Sequence, residues 1–197
     1  MLNGNTEFVA ESDDGDFEAF QDGQSPRVTL LSCCDSRVHH NVFKLDATDR
    51  MFIIRNIGNQ FFPGRGSIDY GVKKLNTPLL IILGHVRCGA VQAAMTDYSE
   101  EDSLAIREKL DGLQLPLRQI EPGLNEADAW LRAVELNVDY QVAIAVKRYK
   151  DKIDAGELIV AGAVYDFADV YGKGRGRTVL RNVNGETDLA KIGNYEG

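Results

Sequence analysis

The sequence predicts an α/β domain with a mainly parallel central β-sheet flanked by helices. Three observations support this fold class. Short, almost continuous apolar runs recur along the chain, as in strands that are buried on both faces of a parallel sheet. Stretches with helical spacing of apolar residues separate these runs. At 197 residues, the chain is long enough for one well-buried core.

Four segments are predicted to be strands because they are rich in β-branched and aliphatic residues. They lie at positions 27–33, 51–55, 78–84 and 157–165. The first of them follows a loop signal, Gly-Gln-Ser-Pro, at positions 23–26.

The intervening segments predict helices. Ile68, Val72 and Leu75 have the spacing of one helical face and predict a helix over 67–75. Asn125 is suited to cap a long helix that runs to about Lys150. Near the end of the chain, the sequence Gly-Lys-Gly-Arg-Gly at 172–176 precedes two β-rich pieces, 178–180 and 182–184. We expect a glycine-rich connection into a hairpin at the edge of the sheet.

Composition narrows the classes of function. The net charge of -8 opposes binding to a phosphate backbone, so we expect no nucleic-acid partner. No apolar run approaches the roughly 20 residues that span a bilayer, so we expect no membrane partner. The first residues lack the cationic start and apolar region of a secretory signal. Three cysteines, two of them adjacent, do not suggest a disulfide framework, and we expect a cytoplasmic protein.

Two reactive clusters follow predicted strands. Cys33-Cys34-Asp35-Ser36-Arg37 comes after the first strand, and Gly-His-Val-Arg-Cys-Gly at 84–89 comes after the third. Ligand sites in open α/β sheets lie just beyond the carboxyl ends of the strands. If these two strands are neighbours, the clusters meet at one edge.

Cys33, His85 and Cys88 would then converge and offer two thiolates and an imidazole, which are good zinc ligands. Three protein ligands are typical of a catalytic site with an open position. Cys34 is not expected to bind the same ion, because adjacent residues of an extended chain point in opposite directions. Taken singly, each cluster is also compatible with buried cysteines that act as small apolar side chains.

The pair C-x-D-S-R and H-x-x-C, in this order, resembles the β-class carbonic anhydrases. Further matches to that family occur along most of the chain, at positions 2–8, 23–26, 55–59, 67–70 and 137–138. The resemblance implies the β-carbonic anhydrase fold in a single domain, residues 1–197, with an N-terminal arm (1–26) and an α/β core (27–197). It also implies a homodimer, or a tetramer of two dimers, in which the arm gives Phe8, Phe17 and Phe20 a second copy to pack against.

The activity implied by the resemblance is the zinc-dependent, reversible hydration of carbon dioxide to bicarbonate by zinc-bound hydroxide. Cys33, His85 and Cys88 would hold Zn²⁺. Asp35 would accept a hydrogen bond from the hydroxide and orient it, and Arg37 would hold Asp35. The family match further implies that Gln24 binds the substrate or bicarbonate and that Phe52, Ile57 and Tyr70 line the pocket for carbon dioxide.

Two alternatives remain at this point. Hydrolases of carbonyl sulfide or carbon disulfide share this zinc site and fold. A non-catalytic protein that binds zinc or bicarbonate would keep the ligands, although it would not need Asp35, Arg37 and Gln24, all of which are present.

Overall fold

A computed structural model describes residues 2–18, 21–44 and 48–193 of the chain. Its centre is a sheet of five strands: β1 (Val28–Cys33), β2 (Met51–Asn56), β3 (Leu79–His85), β4 (Ile159–Asp166) and β5 (Arg177–Val183). The strand order is β2-β1-β3-β4-β5. The first four strands are parallel, and β5 is antiparallel to β4. The predicted α/β fold with a mainly parallel sheet is confirmed.

The described helices pack on the faces of this sheet or extend from it. They are α1 (Leu2–Glu11), α2 (Asp14–Glu18), α3 (Phe61–Asp69), α4 (Gly89–Ala94), α5 (Leu104–Asp111), α6 (Gln114–Leu117), α7 (Glu126–Arg148), α8 (Lys150–Asp154) and α9 (Leu189–Ile192). Short 3-10 turns occupy His40–Phe43 and Ile57–Asn59.

Helix α7 covers β3 and β4 and begins where the sequence predicts. The side chain of Asn125 accepts a hydrogen bond from the backbone N–H of Asp128, which caps the first turn. Val138 of α7 packs directly over Gly84 of β3, where a Cβ atom would lie only 2.6 Å from its Cγ2. Glycine at this position therefore lets the helix approach the strand that leads into His85.

The predicted helix over 67–75 differs from the structure at both ends. Helix α3 begins earlier, at Phe61, which is fully buried. Pro63 is tolerated because backbone N–H groups in the first turn have no helical partner. A π-helical turn, Tyr70–Lys74, follows α3, so the apolar spacing of the sequence detected only the later part of this segment.

The expected hairpin near the end of the chain also has a different form. The piece at 178–180 and the first two residues of the piece at 182–184 belong to β5, which continues through Arg181 as one strand, ends at Val183 and pairs with β4. Residues 167–176 connect these two strands and include the glycine-rich sequence. Because β4 is parallel to β1 and β3, this connection lies at the carboxyl edge of the sheet.

The N-terminal helix α1 differs from most of the described chain in its lack of buried residues. No residue of α1 is buried against the described segments. The rings of Phe8 and Phe17 contact each other, with centroids 6.3 Å apart, and Phe20 lies outside the described residues. Within the described ranges, none of the helices has the length and apolar content needed to cross a membrane.

Candidate metal centre

Two neighbouring strand ends bring the predicted ligands together. Strands β1 and β3 pair in parallel, with Ser32 opposite Leu83, so Cys33 and His85 emerge at the same edge. The chain then turns at Arg87, whose φ of 54° lies in the left-handed region, and Cys88 comes back toward the cluster. One ligand atom from each of Cys33, His85 and Cys88 lies within 4.8 Å of the other two. All three residues are buried.

The imidazole of His85 is oriented as a metal ligand would be. Its Nδ1 lies 3.0 Å from the carbonyl oxygen of Val86, and because a carbonyl only accepts, Nδ1 carries the proton. The lone pair is therefore on Nε2, which is buried without a hydrogen-bond partner among the described residues. Leaving a buried polar atom unpaired is costly, and a cation at Nε2 would remove that cost.

The two sulfur atoms are poised to carry negative charge. A hydrogen bond from the Cys88 thiol lowers the pKa of Cys33, and backbone N–H groups of Asp35 and Gly58 add to this effect. The pKa of Cys88 is raised, chiefly because its proton is held by Cys33 and secondarily by burial. The two sulfurs are thus coupled through one hydrogen bond, and a dication held between them would take the place of its proton.

Asp35 lies at the rim of this cluster, with Oδ2 3.8 Å from His85 Nε2. Arg37 donates from Nε to Asp35 Oδ1 at 2.9 Å and from Nη2 to Oδ2 at 2.7 Å. These hydrogen bonds hold the pKa of the Asp35 carboxyl well below its usual range. The carboxylate is therefore ionised and fixed beside the three candidate ligands.

Two further side chains support the loops that carry the ligands. Arg55 donates to the carbonyl oxygens of Cys33, Asp35 and Val38 at 3.1, 2.8 and 2.9 Å. The indole N–H of Trp130 donates to the carbonyl oxygen of Cys88 at 3.0 Å. Sequence reasoning gave Trp130 no role, since a contact between residues 42 positions apart leaves no local pattern.

The predicted pocket residues do not all reach the cluster within one chain. Ile57 directly follows β2, beside Gly58, whose backbone N–H points to Cys33. Phe52 pairs with Thr29, four residues before Cys33, which places it roughly 13 Å away along the strand. Tyr70 is 47% exposed and stacks on Phe52 with centroids 5.8 Å apart.

Gln24 is exposed and precedes β1, so it lies toward the opposite edge of the sheet from the candidate metal ligands. The neighbouring Ser25 confirms this location, because its backbone N–H donates to Asp49, just before β2 begins. A single copy of the chain therefore places Gln24, Phe52 and Tyr70 away from Cys33, His85 and Cys88.

Comparison with known proteins agrees with the family resemblance of the sequence. Residues 28–173 match the family model described as carbonic anhydrase. Carbonic anhydrase 2 of Mycobacterium tuberculosis is 31% identical over 167 residues, covering 81% of this chain and 76% of its own. The β-carbonic anhydrase CafA of Aspergillus fumigatus superimposes with a TM-score of 0.73 at 25% identity, over 99% of this chain and 95% of its own.

Another solved structure, one of two tetrameric β-carbonic anhydrases from Sordaria macrospora, superimposes with a TM-score of 0.75 at 21% identity. The match covers 91% of this chain and 92% of the Sordaria chain. This likeness concerns the fold.

Proposed function

This chain belongs to the β-class carbonic anhydrase family, and from that premise we propose that it hydrates carbon dioxide reversibly to bicarbonate with a zinc ion held by Cys33, His85 and Cys88. The observation that carries the proposal is the convergence of these three ligand atoms around the unpaired Nε2 of His85. Such a donor set, buried at the carboxyl edge of a parallel sheet, fits a metal that stays in place through turnover.

Zinc is the cation that this donor set favours. Two thiolates and one imidazole are typical zinc ligands, and only three protein ligands leave a fourth position open. Cys34 is exposed and does not belong to the cluster, which supports the open position. When bound at such a site, zinc supplies a hydroxide nucleophile near neutral pH and polarises the substrate.

The role of Asp35 follows from its charge and place. Its ionised carboxylate lies beside His85, so Oδ2 can accept a hydrogen bond from a nucleophile held next to the ligands. Accepting that bond fixes the direction of the nucleophile's proton and turns a lone pair toward the carbon of the substrate. Arg37 keeps both carboxylate oxygens in one orientation through its paired hydrogen bonds.

We further propose that the active form is a homodimer, or two dimers paired as a tetramer, in which each copy completes the site of the other. The position of Gln24, Phe52 and Tyr70 away from the metal ligands of their own chain supports this arrangement. The unburied α1 supports a role for the N-terminal arm, residues 1–26, in the contact between copies.

Stopped-flow measurement of carbon dioxide hydration tests the proposal. Protein stripped with a chelator is reloaded with increasing zinc, and we expect the rate to rise in proportion to bound zinc up to one ion per chain. The rate should also rise toward alkaline pH, because two thiolates neutralise more of the zinc charge than three imidazoles would. One bound zinc per chain without turnover would contradict the proposal. Turnover of carbonyl sulfide or carbon disulfide would then identify a hydrolase, and its absence a binding protein.

A further inference from the structure

The ring of Phe167 lies next to both His85 of the metal cluster and Arg37 of the Asp35–Arg37 pair. Tyr165 is in register with His85 across β3 and β4, so Phe167, two residues later, lies beyond the same edge of the sheet. The guanidinium carbon of Arg37 lies over the Phe167 ring, 4.7 Å from its centroid. The ring is also 6.2 Å from the imidazole of His85, with an angle of 31° between the planes.

The loop that carries Phe167 is held in place on both sides of the ring. Asp166 is fully buried, and its carboxylate accepts hydrogen bonds from the backbone N–H groups of Ala168 and Tyr171 at 3.0 and 2.9 Å. The hydroxyl of Tyr171 donates to Glu135 of α7 at 2.8 Å. These bonds fix the start of the connection between β4 and β5, and with it the direction of Phe167.

We propose that Phe167 is a positioning residue of the active site, which holds the guanidinium plane of Arg37 and through it the orientation of Asp35. The proposal rests on the proposed function. Arg37 has three kinds of contact that differ in direction: one edge binds Asp35, Nη2 also donates to the carbonyl of Arg87 at 3.0 Å, and one face lies on Phe167.

The ring matters because the Arg37 side chain is otherwise accessible to water within its own chain, with 48% of its surface exposed. Hydrogen bonds along one edge still allow a guanidinium to rotate about that edge. An aromatic face beneath the plane opposes this rotation and attracts the cation. Loss of the face should therefore let Asp35 move away from its position beside His85.

The test compares Phe167→Leu, which keeps an apolar side chain but removes the aromatic face, with Phe167→Tyr, which keeps that face. We expect Phe167→Leu to lower kcat for carbon dioxide hydration about tenfold, with little change in KM and one zinc still bound per chain. Phe167→Tyr should keep most of the wild-type activity. In an Arg37→Ala background, Phe167→Leu should cause no further loss, because its effect passes through Arg37.

A second readout does not depend on zinc or turnover. In metal-free protein with ¹⁵N-labelled arginine, the Nε–H signal of Arg37 can be assigned by its loss in Arg37→Lys. We expect this proton to exchange with water faster in Phe167→Leu than in the wild type, and to remain protected in Phe167→Tyr. Should Phe167→Leu fail to fold, Phe167→Met makes the same comparison.

The inference is overturned if Phe167→Leu matches the wild type in both kcat and proton exchange. It is also overturned if the losses from Phe167→Leu and Arg37→Ala simply multiply, since that would indicate independent structural effects. A wild-type protein that binds zinc but does not hydrate carbon dioxide would refute the proposed function instead. In that case the exchange measurement alone decides whether Phe167 positions Arg37.

Discussion

Arg37 holds Asp35 with two parallel hydrogen bonds, and the backbone N–H of Arg37 adds a third to Oδ1 at 2.9 Å. The two residues are separated only by Ser36, so the turn after β1 builds the pair within one short segment. As a result, a carboxylate with 18% of its surface exposed stays ionised and oriented beside His85. The proposed mechanism depends on this orientation.

Replacing Asp35 with Asn should separate orientation from metal binding. The Asn amide has the same shape as the carboxylate but carries no charge, and only one of its two terminal atoms can accept hydrogen bonds. We therefore expect kcat to fall about 100-fold. Zinc content should not change, since Asp35 is not among the three clustered ligands. Stopped-flow kinetics and metal analysis measure the two effects. Asp97→Asn is a matched control on the surface, and activity of Asp35→Asn within twofold of the wild type would refute the assigned role.

Substitution of the cysteines should distinguish the proposed ligand Cys88 from Cys34, which lies outside the cluster. Cys88→Ser removes a buried sulfur of the cluster, and we expect zinc affinity to fall by more than about 100-fold, because even outer-shell changes cost 10- to 100-fold. Cys34→Ser alters an exposed thiol and should leave affinity unchanged. Titration against a competing chelator gives both values. Equal losses in the two variants would mean that the cluster is not the metal site.

The sequence predicts the candidate metal ligands because the strand patterns and the ligand motifs that follow them are local features of the chain. The apolar runs locate β1 and β3 to within one residue at each end. Once these strands are neighbours in a parallel sheet, Cys33 and His85 must meet at its edge. The resemblance to the β-class family supplies the same ligands from the residue patterns alone.

Other features depend on contacts that leave no pattern in the sequence. Helix α3 begins with Phe-Phe-Pro-Gly-Arg-Gly, a composition that is typical of a loop. A Cβ at Gly64 would lie 3.0 Å from a methyl group of Ile54, so glycine lets the helix pack there without displacing that side chain. The contact of Phe167 with Arg37 likewise joins residues far apart in the chain, and only the folded sheet brings them together.

Acid should weaken one tertiary link away from the metal cluster of the same chain. Asp69 at the end of α3 accepts hydrogen bonds from Arg148 and from the hydroxyl of Tyr149, chiefly the former, and these lower its pKa to about 2. Because the folded pKa lies below the unfolded value of about 3.9, the stabilisation is full above pH 4 and is lost as the pH falls toward 2. The shift corresponds to about 2.5 kcal/mol at most, and 27% exposure of the side chain reduces this to about 1–2 kcal/mol.

We therefore expect Asp69→Asn to lower the free energy of unfolding by about 1–2 kcal/mol at pH 7, as measured by urea denaturation. The difference from the wild type should shrink between pH 4 and pH 2.5. Asp154→Asn is a matched control, since the ion pair of Asp154 with Lys150 is solvent-exposed. A difference that stays constant with pH would show that the loss does not come from the charge of Asp69.

Mixed dimers should reveal whether each copy completes the site of the other. In one chain, Cys88→Ser removes the metal site. In the other chain, Phe52→Arg blocks the pocket surface that this chain contributes to the site of its partner. Each variant alone should be inactive. After co-expression, one of the two sites in a mixed dimer has intact ligands and an intact pocket, so activity should recover to about a quarter of the wild type.

The matched control for this experiment is Cys88→Ser co-expressed with Asp35→Asn. Both changes lie on the ligand side of the same site, but in the mixed dimer each site retains one of them, so no recovery is expected. Failure of the Cys88→Ser and Phe52→Arg pair to recover, with mixed dimers verified by mass spectrometry, would place the pocket within a single chain.

X-ray absorption at the zinc edge of the loaded protein tests the central claim most directly, because it reports the atoms around the metal. The account predicts two sulfurs at about 2.3 Å, one imidazole nitrogen at about 2.0–2.1 Å and one further light atom in the fourth position. The same spectrum should be obtained from Cys34→Ser. A third sulfur ligand, or a spectrum from Cys88→Ser that still contains two sulfurs, would contradict a catalytic zinc site built from Cys33, His85 and Cys88.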